Sequence, residues 1–592
     1  MKPNRLNATV LSLNGVWKFS VDLRDAGERE GWHKPGASAN GWMKVKVPGS
    51  WDTYAPELRG YEGIAWFRRE FRVPHVPRVA FLEFDGAGHQ VKVWVNGRLA
   101  GEHEGGYGPF SLDISVLLRP GNDFISIRVK HLFSDETVPV INTDWWKYGG
   151  ITRDVRLRMA NGPFLERATC LCGGTAESPW VTALGRIRVP KGKNGRVRLA
   201  KGGRVLVSAS LQSGKKSVRE TVPVRVSPGQ RGEYRIGLPA KGFPRWYPGS
   251  PKLVNLVIVL ADEAGRILDR RTIVTGVRVI GWKDRLTING EKVWLRGVNQ
   301  VEEYPHWTCS PGMGAMKRRI LLMKHKLNCN FFRAAHYPHH PAFPGLCDRL
   351  GMLTAGEIPL CYPPDSKANT AAGFRMLEEL FWRDAHHPSV IWWSTGNERP
   401  AEQEPVAREI RTHIAFIKSL DNTRPAVCVS NRRLSDRSLQ AHDLLALNEY
   451  FGIWDGSTPV KTGPLARSEA ELSRHLDKIH RLYPGKPIVI TEFGAPAFPG
   501  RGRDFGSEHW QAEIIRRHTR VFARKPYLSG CTAWCLTDQR IGSYRKYPVG
   551  YLGSLQMEVF GVSDFTGKPR PAWSVLSGFY RRMKGRTSRL GG

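Results

Sequence analysis

No stretch of the 592 residues approaches the roughly 18 uninterrupted apolar positions of a membrane-spanning helix, so no membrane partner is expected. From Met1 to Leu13 there is no apolar core of a secretory leader, and the expected location is cytoplasmic. Low-complexity tracts are missing, which argues against extensive disorder. Cysteine is sparse: nine residues, an odd number, mostly inside apolar runs, read as buried free thiols of a reducing compartment. Cys170 and Cys172 have no second ligand pair at metal spacing, so no metal and no cofactor is expected. Acid is scarce against base, with 54 Asp and Glu facing 89 Lys and Arg, for a net charge of +35. Such a field attracts polyanions. The basic residues are scattered, however, and the densest run is Arg581-Arg582-Met583-Lys584. No DNA or RNA module signature accompanies them, so no specific nucleic-acid partner is expected.

What is present is a 41% hydrophobic, 24% charged chain too long for one core, with roughly two to four domains expected. Residues 1–160 carry short alternating segments, such as Val16-Trp17-Lys18-Phe19, Ala65-Trp66-Phe67-Arg68, Val91 to Val95 and Phe124 to Val129. Asn96-Gly97 between two of them is a strong hairpin signal, and the reading is a jelly-roll β-sandwich. Residues 161–278 continue strand-like, at Arg196 to Leu199, Val222 to Val226 and Leu253 to Leu260, which suggests an immunoglobulin-like sandwich.

From 279 to 592 the period changes. Eight apolar runs read as strands: Val293–Val298, Asn330–Ala334, Met352–Ala355, Val390–Ser394, Ala426–Ser430, Leu444–Leu447, Pro487–Thr491 and Gly530–Leu536. Helical patterns lie between them at Gly314–Leu327, Phe374–His386, Val406–Leu420, Glu469–Leu482 and His509–Phe522. That count predicts a (β/α)8 TIM barrel. The alternative, an open doubly wound sheet, would want a Gly-rich phosphate loop after its first strand, and Gly297-Val298-Asn299 is not one.

Active residues of such barrels lie at the C-terminal strand ends. Here those ends gather Arg333 and His336, Glu357, Asn397 and Glu398, Asn448 and Tyr450, Glu492, and Trp534. Cleaving a glycosidic bond takes two carboxyl groups flanking the anomeric carbon, one protonated and one ionised, roughly 5–5.5 Å apart when configuration is retained. Glu398 on the fourth strand and Glu492 on the seventh face each other across the mouth and fit that need. Asn397 is placed to reach a sugar 2-hydroxyl. Several positions have plainer readings. Glu357 suits a structural partner for Arg333 as well as a catalytic group, His336 a packed loop residue or a hydroxyl binder, and Trp534 a core residue or a platform for a sugar face.

With these residues in view, the chain resembles glycoside hydrolase family 2, the group of β-galactosidases, β-glucuronidases and β-mannosidases, over nearly its whole length. The likeness rests on Trp51, Gly60-Tyr61-Glu62-Gly63, Trp66-Phe67-Arg68-Arg69, Lys147 to Arg153, Asn289-Gly290 and Leu295 to Asn299. It rests above all on Arg383 through Asn397-Glu398, which resembles the acid/base signature, and Lys486 through Thr491-Glu492-Phe493-Gly494-Ala495, which resembles the nucleophile signature. The resemblance implies a retaining exo-β-glycosidase, with Glu492 as nucleophile and Glu398 as acid/base, acting on β-galactosides or β-glucuronides and galacturonides. It also implies a homo-oligomer, dimer or tetramer. Within the family the likeness leans to the β-glucuronidase branch, through Asn448 to Trp454 and through Asp144, which matches an acidic residue reaching sugar hydroxyls there. The expected sugar-contacting set is Asp144, Arg333, His336, Asn397, Asn448, Tyr450, Trp454 and Trp534.

The sequence departs from the family in two places. Val301-Glu302-Glu303 stands where His-Glu-Asp is common, which puts a metal site of the β-galactosidase kind in doubt. Met557 to Gly561 lacks the Lys of the Asn-x-Lys pair that holds a uronate in glucuronidases. Arg540, Arg545 and Lys546 in the loop after the eighth strand are candidate replacements, and solvated loop charges with a neutral sugar are the other reading. Two further functional alternatives are a catalytically inactive carbohydrate-binding protein on the same fold and a basic polyanion-binding scaffold.

Overall fold

The computed structural model describes residues 8–73, 75–190, 203–305, 309–362, 366–455, 458–459, 465–542, 551–552 and 557–585. The first part is two antiparallel sheets, of four and six strands, packed face to face. Their inward positions, among them Trp17, Phe67, Leu82, Val93 and Ile127, form one buried core, as alternation demands. Asn96 and Gly97 both take positive φ, 52° and 81°, between strands Gln90–Val95 and Arg98–Glu104. Both central residues left-handed is the geometry whose twist matches that of a two-residue hairpin.

The second part is a smaller sandwich of three- and four-stranded antiparallel sheets. The expected strand at Arg196–Leu199 lies outside the described residues.

The third part is an eight-stranded parallel sheet. Its strands are β1 (Leu295–Gln300), β2 (Phe331–Ala334), β3 (Leu353–Glu357), β4 (Val390–Asn397), β5 (Ala426–Val429), β6 (Leu445–Asn448), β7 (Ile488–Glu492) and β8 (Leu528–Ala533). They pair in the order β5-β4-β3-β2-β1-β8-β7-β6, and a single bridge, Ser430 to Leu447, joins the two ends into a ring. Almost every strand residue is buried, the pattern of a sheet covered on both faces. The helices are α1 (Met313–His325), α2 (Ala342–Leu350), α3 (Lys367–Asp384), α4 (Glu404–Leu420), α5 (Leu465–Leu482), α6 (Glu508–Ala523) and α7 (Pro571–Lys584).

Two helices, α2 and α7, were not in the sequence reading. Pro344 and Gly345 make α2 look like a turn, yet Pro in the first turn of a helix gives up a donor that has no partner there. Between β5 and β6 the described chain forms two 3-10 turns, Arg433–Ser435 and Leu439–Ala441, in place of a helix.

The amino-terminal end of the barrel is stoppered. Leu286 and Ile288 of the hairpin before β1, with Trp246 of the second sandwich, pack on Leu295, Phe331, Leu353, Ile391 and Val489. The opposite end is roofed by the segment Thr143–Arg153 of the first sandwich. Fully buried Trp145 joins the aromatic cluster at that mouth with Tyr337, Trp534 and Phe560. Arg153 crosses the interface to Glu302 at 2.9 Å and to the Pro338 carbonyl at 2.6 Å. Glu302 and Glu303, of the Val301-Glu302-Glu303 stretch, thus pin the roof: Tyr148 donates its hydroxyl to Glu303.

The motif around Gly149 has a steric cause. A Cβ on Gly149 would overlap the indole of Trp51, which is fully buried, and Gly150 sits at φ +128° beside the Gly49 carbonyl. Gly149→Ala is therefore expected to destabilise by about 1–3 kcal/mol through overpacking. Calorimetry would register a lowered melting temperature, and an unchanged one would contradict this packing.

Candidate active site

Five strand ends converge on one guanidinium. Arg333 closes β2 and is 0% exposed. Its Nε and Nη2 donate to Glu357 at 3.1 and 2.8 Å, a bidentate grip on the carboxylate that ends β3. Its Nη1 donates to Glu492 Oε1 at 2.7 Å, at the end of β7, and to Asn299 Oδ1 of β1 at 3.2 Å. Nη2 also reaches Asn397 Oδ1 of β4 at 2.9 Å. Burial alone would lower the proton affinity of Arg333, but Glu357 and Glu492 overcome it and raise it above its usual value. Burial likewise opposes the charge on Glu357, yet Arg333 and the His336 Nδ1–H, which donates to it at 3.1 Å, hold this carboxyl below its usual range.

Glu492 is 4% exposed. Its second oxygen accepts the Tyr450 hydroxyl at 2.7 Å. Burial first, then the Glu492 charge, pushes Tyr450 well above its ordinary value, so it stays a donor. Glu398 follows β4 with φ 49° and accepts from Asn448 Nδ2 at 2.7 Å. Burial and then repulsion from Glu492 raise its proton affinity to a pKa of about 7. One carboxylate of the pair is thus ion-paired and the other is poised to keep its proton near neutrality, the separation that acid and base roles require.

Asn397 is oriented from behind. Its Oδ1 takes the Arg333 bond and a 3.3 Å bond from Asn448, while its buried Nδ2 has no hydrogen-bond partner among the described residues. A buried amide donor left unmatched costs free energy until something accepts from it. Trp534 stacks on His336 with centroids 5.0 Å apart and donates its indole N–H to Glu558 at 2.8 Å. Asp144 reaches the mouth from the roof and accepts the Tyr362 hydroxyl.

The structure therefore brings together Asp144, Arg333, His336, Asn397, Glu398, Asn448, Tyr450, Glu492 and Trp534. Arg333 lies beneath the carboxylates. The side chain of Trp454 is outside the described residues, as are Arg545 and Lys546. Arg540 points to Glu303 at 3.6 Å and lies over the Phe565 ring. Sequence reasoning missed Glu558 and Gln539 as wall residues. Gln539 Nε2 donates to Glu558 and to the Asp144 carbonyl, both at 2.7 Å. The only sequence signal was the stretch Met557 to Gly561 that lacked a Lys.

Removing Arg333 strands buried charge. Arg333→Gln should cost about 3–5 kcal/mol at neutral pH, because Glu357 and Glu492 lose their counter-charge. Glu357 has a depressed proton affinity in the fold, so its contribution is present above the usual carboxylate range and is lost as pH falls to its lower folded value; in Arg333→Gln the buried, unpaired carboxyl takes up its proton at a higher pH than that. The melting-temperature deficit of Arg333→Gln should thus shrink between about pH 7 and about pH 4. A deficit equal at both would contradict the ion-pair origin.

Residues 10–160 match the sugar binding domain of glycosyl hydrolases family 2, and residues 279–526 match the TIM barrel domain of the same family. The chain is 26% identical to the β-glucuronidase of Paenibacillus borealis over 577 residues, which covers 90% of this chain and 91% of that protein. It is also 26% identical to the mouse (Mus musculus) β-glucuronidase, with 89% and 85% covered. The β-galacturonidase of Eisenbergiella tayi bound to galacturonate shares the fold at TM-score 0.82 and 24% identity, over 97% of this chain and 98% of that one. With matching domains at both ends of the described architecture and curated relatives along nearly its whole length, the chain belongs to glycoside hydrolase family 2 and is a glycoside hydrolase.

Proposed function

We propose that this protein is a retaining exo-β-glycosidase in which Glu492 is the nucleophile and Glu398 the acid/base. The observation that carries the reading is the unequal treatment of the two carboxylates: Glu492 is ion-paired to Arg333, whereas Glu398 is held to a pKa of about 7. In the first step the Glu492 oxygen bonds to the anomeric carbon as the bond to the aglycone oxygen breaks, and the Glu398 proton goes to that oxygen. In the second step Glu398 takes a proton from water, the water oxygen bonds to the anomeric carbon, and Glu492 leaves as a carboxylate. Repulsion from Glu492 is the second cause of the high Glu398 value. Esterification of Glu492 removes that charge, so Glu398 becomes a weaker acid-holder when it must act as base. Asn397 Nδ2, buried and unmatched, is the donor offered to the sugar 2-hydroxyl. Trp534 and Asp144 are the proposed glycone contacts.

The glycone proposed is a β-linked galactose or uronic acid. Relatives named β-glucuronidase support the uronide, and the absence of a Lys in Met557 to Gly561 supports the neutral sugar. A homo-oligomer is proposed from the family resemblance.

Nitrophenyl β-galactoside, glucuronide, galacturonide, mannoside and fucoside form the deciding panel, with the first-formed anomer read by NMR. Retention is expected, and an inverted product would sink the mechanism. Glu492→Ala should abolish turnover, with azide restoring it as glycosyl azide. Because Glu398 must be protonated in the first step, kcat/KM should fall as pH rises through about 7. A profile flat through pH 6 to 9 would contradict its role.

A further inference from the structure

Glu357 touches neither of the two carboxylates assigned to the reaction, yet it takes the better half of the residue that serves one of them. The Nε–Nη2 edge of Arg333, the edge suited to forked binding, belongs to Glu357 at 3.1 and 2.8 Å. Glu492 receives only the end-on Nη1 contact at 2.7 Å. Glu357 is 1% exposed, so bulk solvent does not compete for it. We infer that Glu357 is a positioning residue that divides the charge of Arg333, so that Glu492 is paired and aimed without being held too tightly to attack.

The inference rests on the assignment of Glu492 as nucleophile. The physical reason is differential stabilisation. A cation that neutralises the attacking carboxylate favours the ground state, and that attraction is surrendered as the negative charge moves into the new bond. A second carboxylate on the same guanidinium weakens the pull on Glu492 while fixing the guanidinium plane. The same plane aims Asn397, whose Oδ1 accepts from Nη2 at 2.9 Å. His336 completes the arrangement: Nδ1–H donates to Glu357 at 3.1 Å, and Nε2 stands 4.0 Å from Glu492. Among the described residues, the other titratable groups facing Glu492 are Tyr450 after β6, Glu398 after β4 and Cys535 after β8.

The test is Glu357→Gln, which keeps size and one acceptor for Arg333 but removes the charge. Arg333 then acts undivided on Glu492. The acidic limb of kcat/KM should move to lower pH by about 1 unit, the usual scale for one nearby charge. The glycosylation rate should fall by about tenfold or more, as expected when ground-state attraction grows. Glu357→Asp keeps the charge, so its acidic limb should stay at the wild-type position even where its rate is reduced. An acidic limb in Glu357→Gln that stays put, or moves upward, overturns the inference and leaves a purely structural role. Should Glu357→Gln not fold, a shifted acidic limb in Glu357→Asp overturns it and an unmoved one sustains it. Wild-type enzyme that hydrolyses no aryl β-glycoside is a different failure, because it removes the glycosidase reading on which this inference stands.

Discussion

The mouth of this barrel is organised around a charge that has nowhere else to go. Arg333 is fully buried, and a buried guanidinium persists only when carboxylates and carbonyl oxygens answer its donors. It finds them on β1, β3, β4 and β7 while standing on β2. That requirement fixes the relative register of five strand ends. It also creates an imbalance, because Glu357, Glu398 and Glu492 converge on a centre where Arg333 is shared between two of them. The third, Glu398, is buried and also feels the Glu492 charge without the same compensation, and its proton is retained to about pH 7. The acid and the ion-paired carboxylate are thus two results of one buried ion network.

The first sandwich is part of the same construction. Arg153 on Glu302 and Tyr148 on Glu303 carry the roof segment onto the barrel, and the backbone N–H of Trp146 donates to the Arg540 carbonyl at 2.9 Å. Gln539 then ties the Asp144 carbonyl to Glu558. A pocket closed on one side by a separate domain favours a terminal sugar over the interior of a chain, which accords with the exo reading.

Much of this was legible in the sequence because it is local. Alternation marked the sandwich strands, and the switch to alternating strand and helix periods marked the barrel. Strand ends then located Glu398, Glu492, Asn397 and Asn448 without any contact being known. What was not legible is long-range or locally contradictory. Trp145 and Gln539 meet the site through packing between segments hundreds of residues apart, and Glu558 through Trp534 and Gln539, and no spacing rule reports that. Helix α2 contains Pro344 and Gly345, and local propensity argued against it until barrel packing prevailed. The choice between roles for Glu357 turned on which edge of Arg333 it would meet, and a side-chain geometry of that kind has no sequence signature.

The net charge of +35 and the acidic mouth act on different length scales. Scattered surface Lys and Arg set a long-range field that falls off within about 10 Å at ordinary salt. Such a field raises encounter rates for anionic glycosides and says nothing about fit. Inside the mouth, where solvent screening is weak, Glu357, Glu398 and Glu492 gather around Arg333, and Glu558 accepts from the Trp534 indole at the wall. Recognition there is decided by individual pairings, and the cation most deeply placed is already committed to two carboxylates of the protein. The surface charge and the chemistry are therefore separable properties, and the sign of one does not predict the sugar accepted by the other.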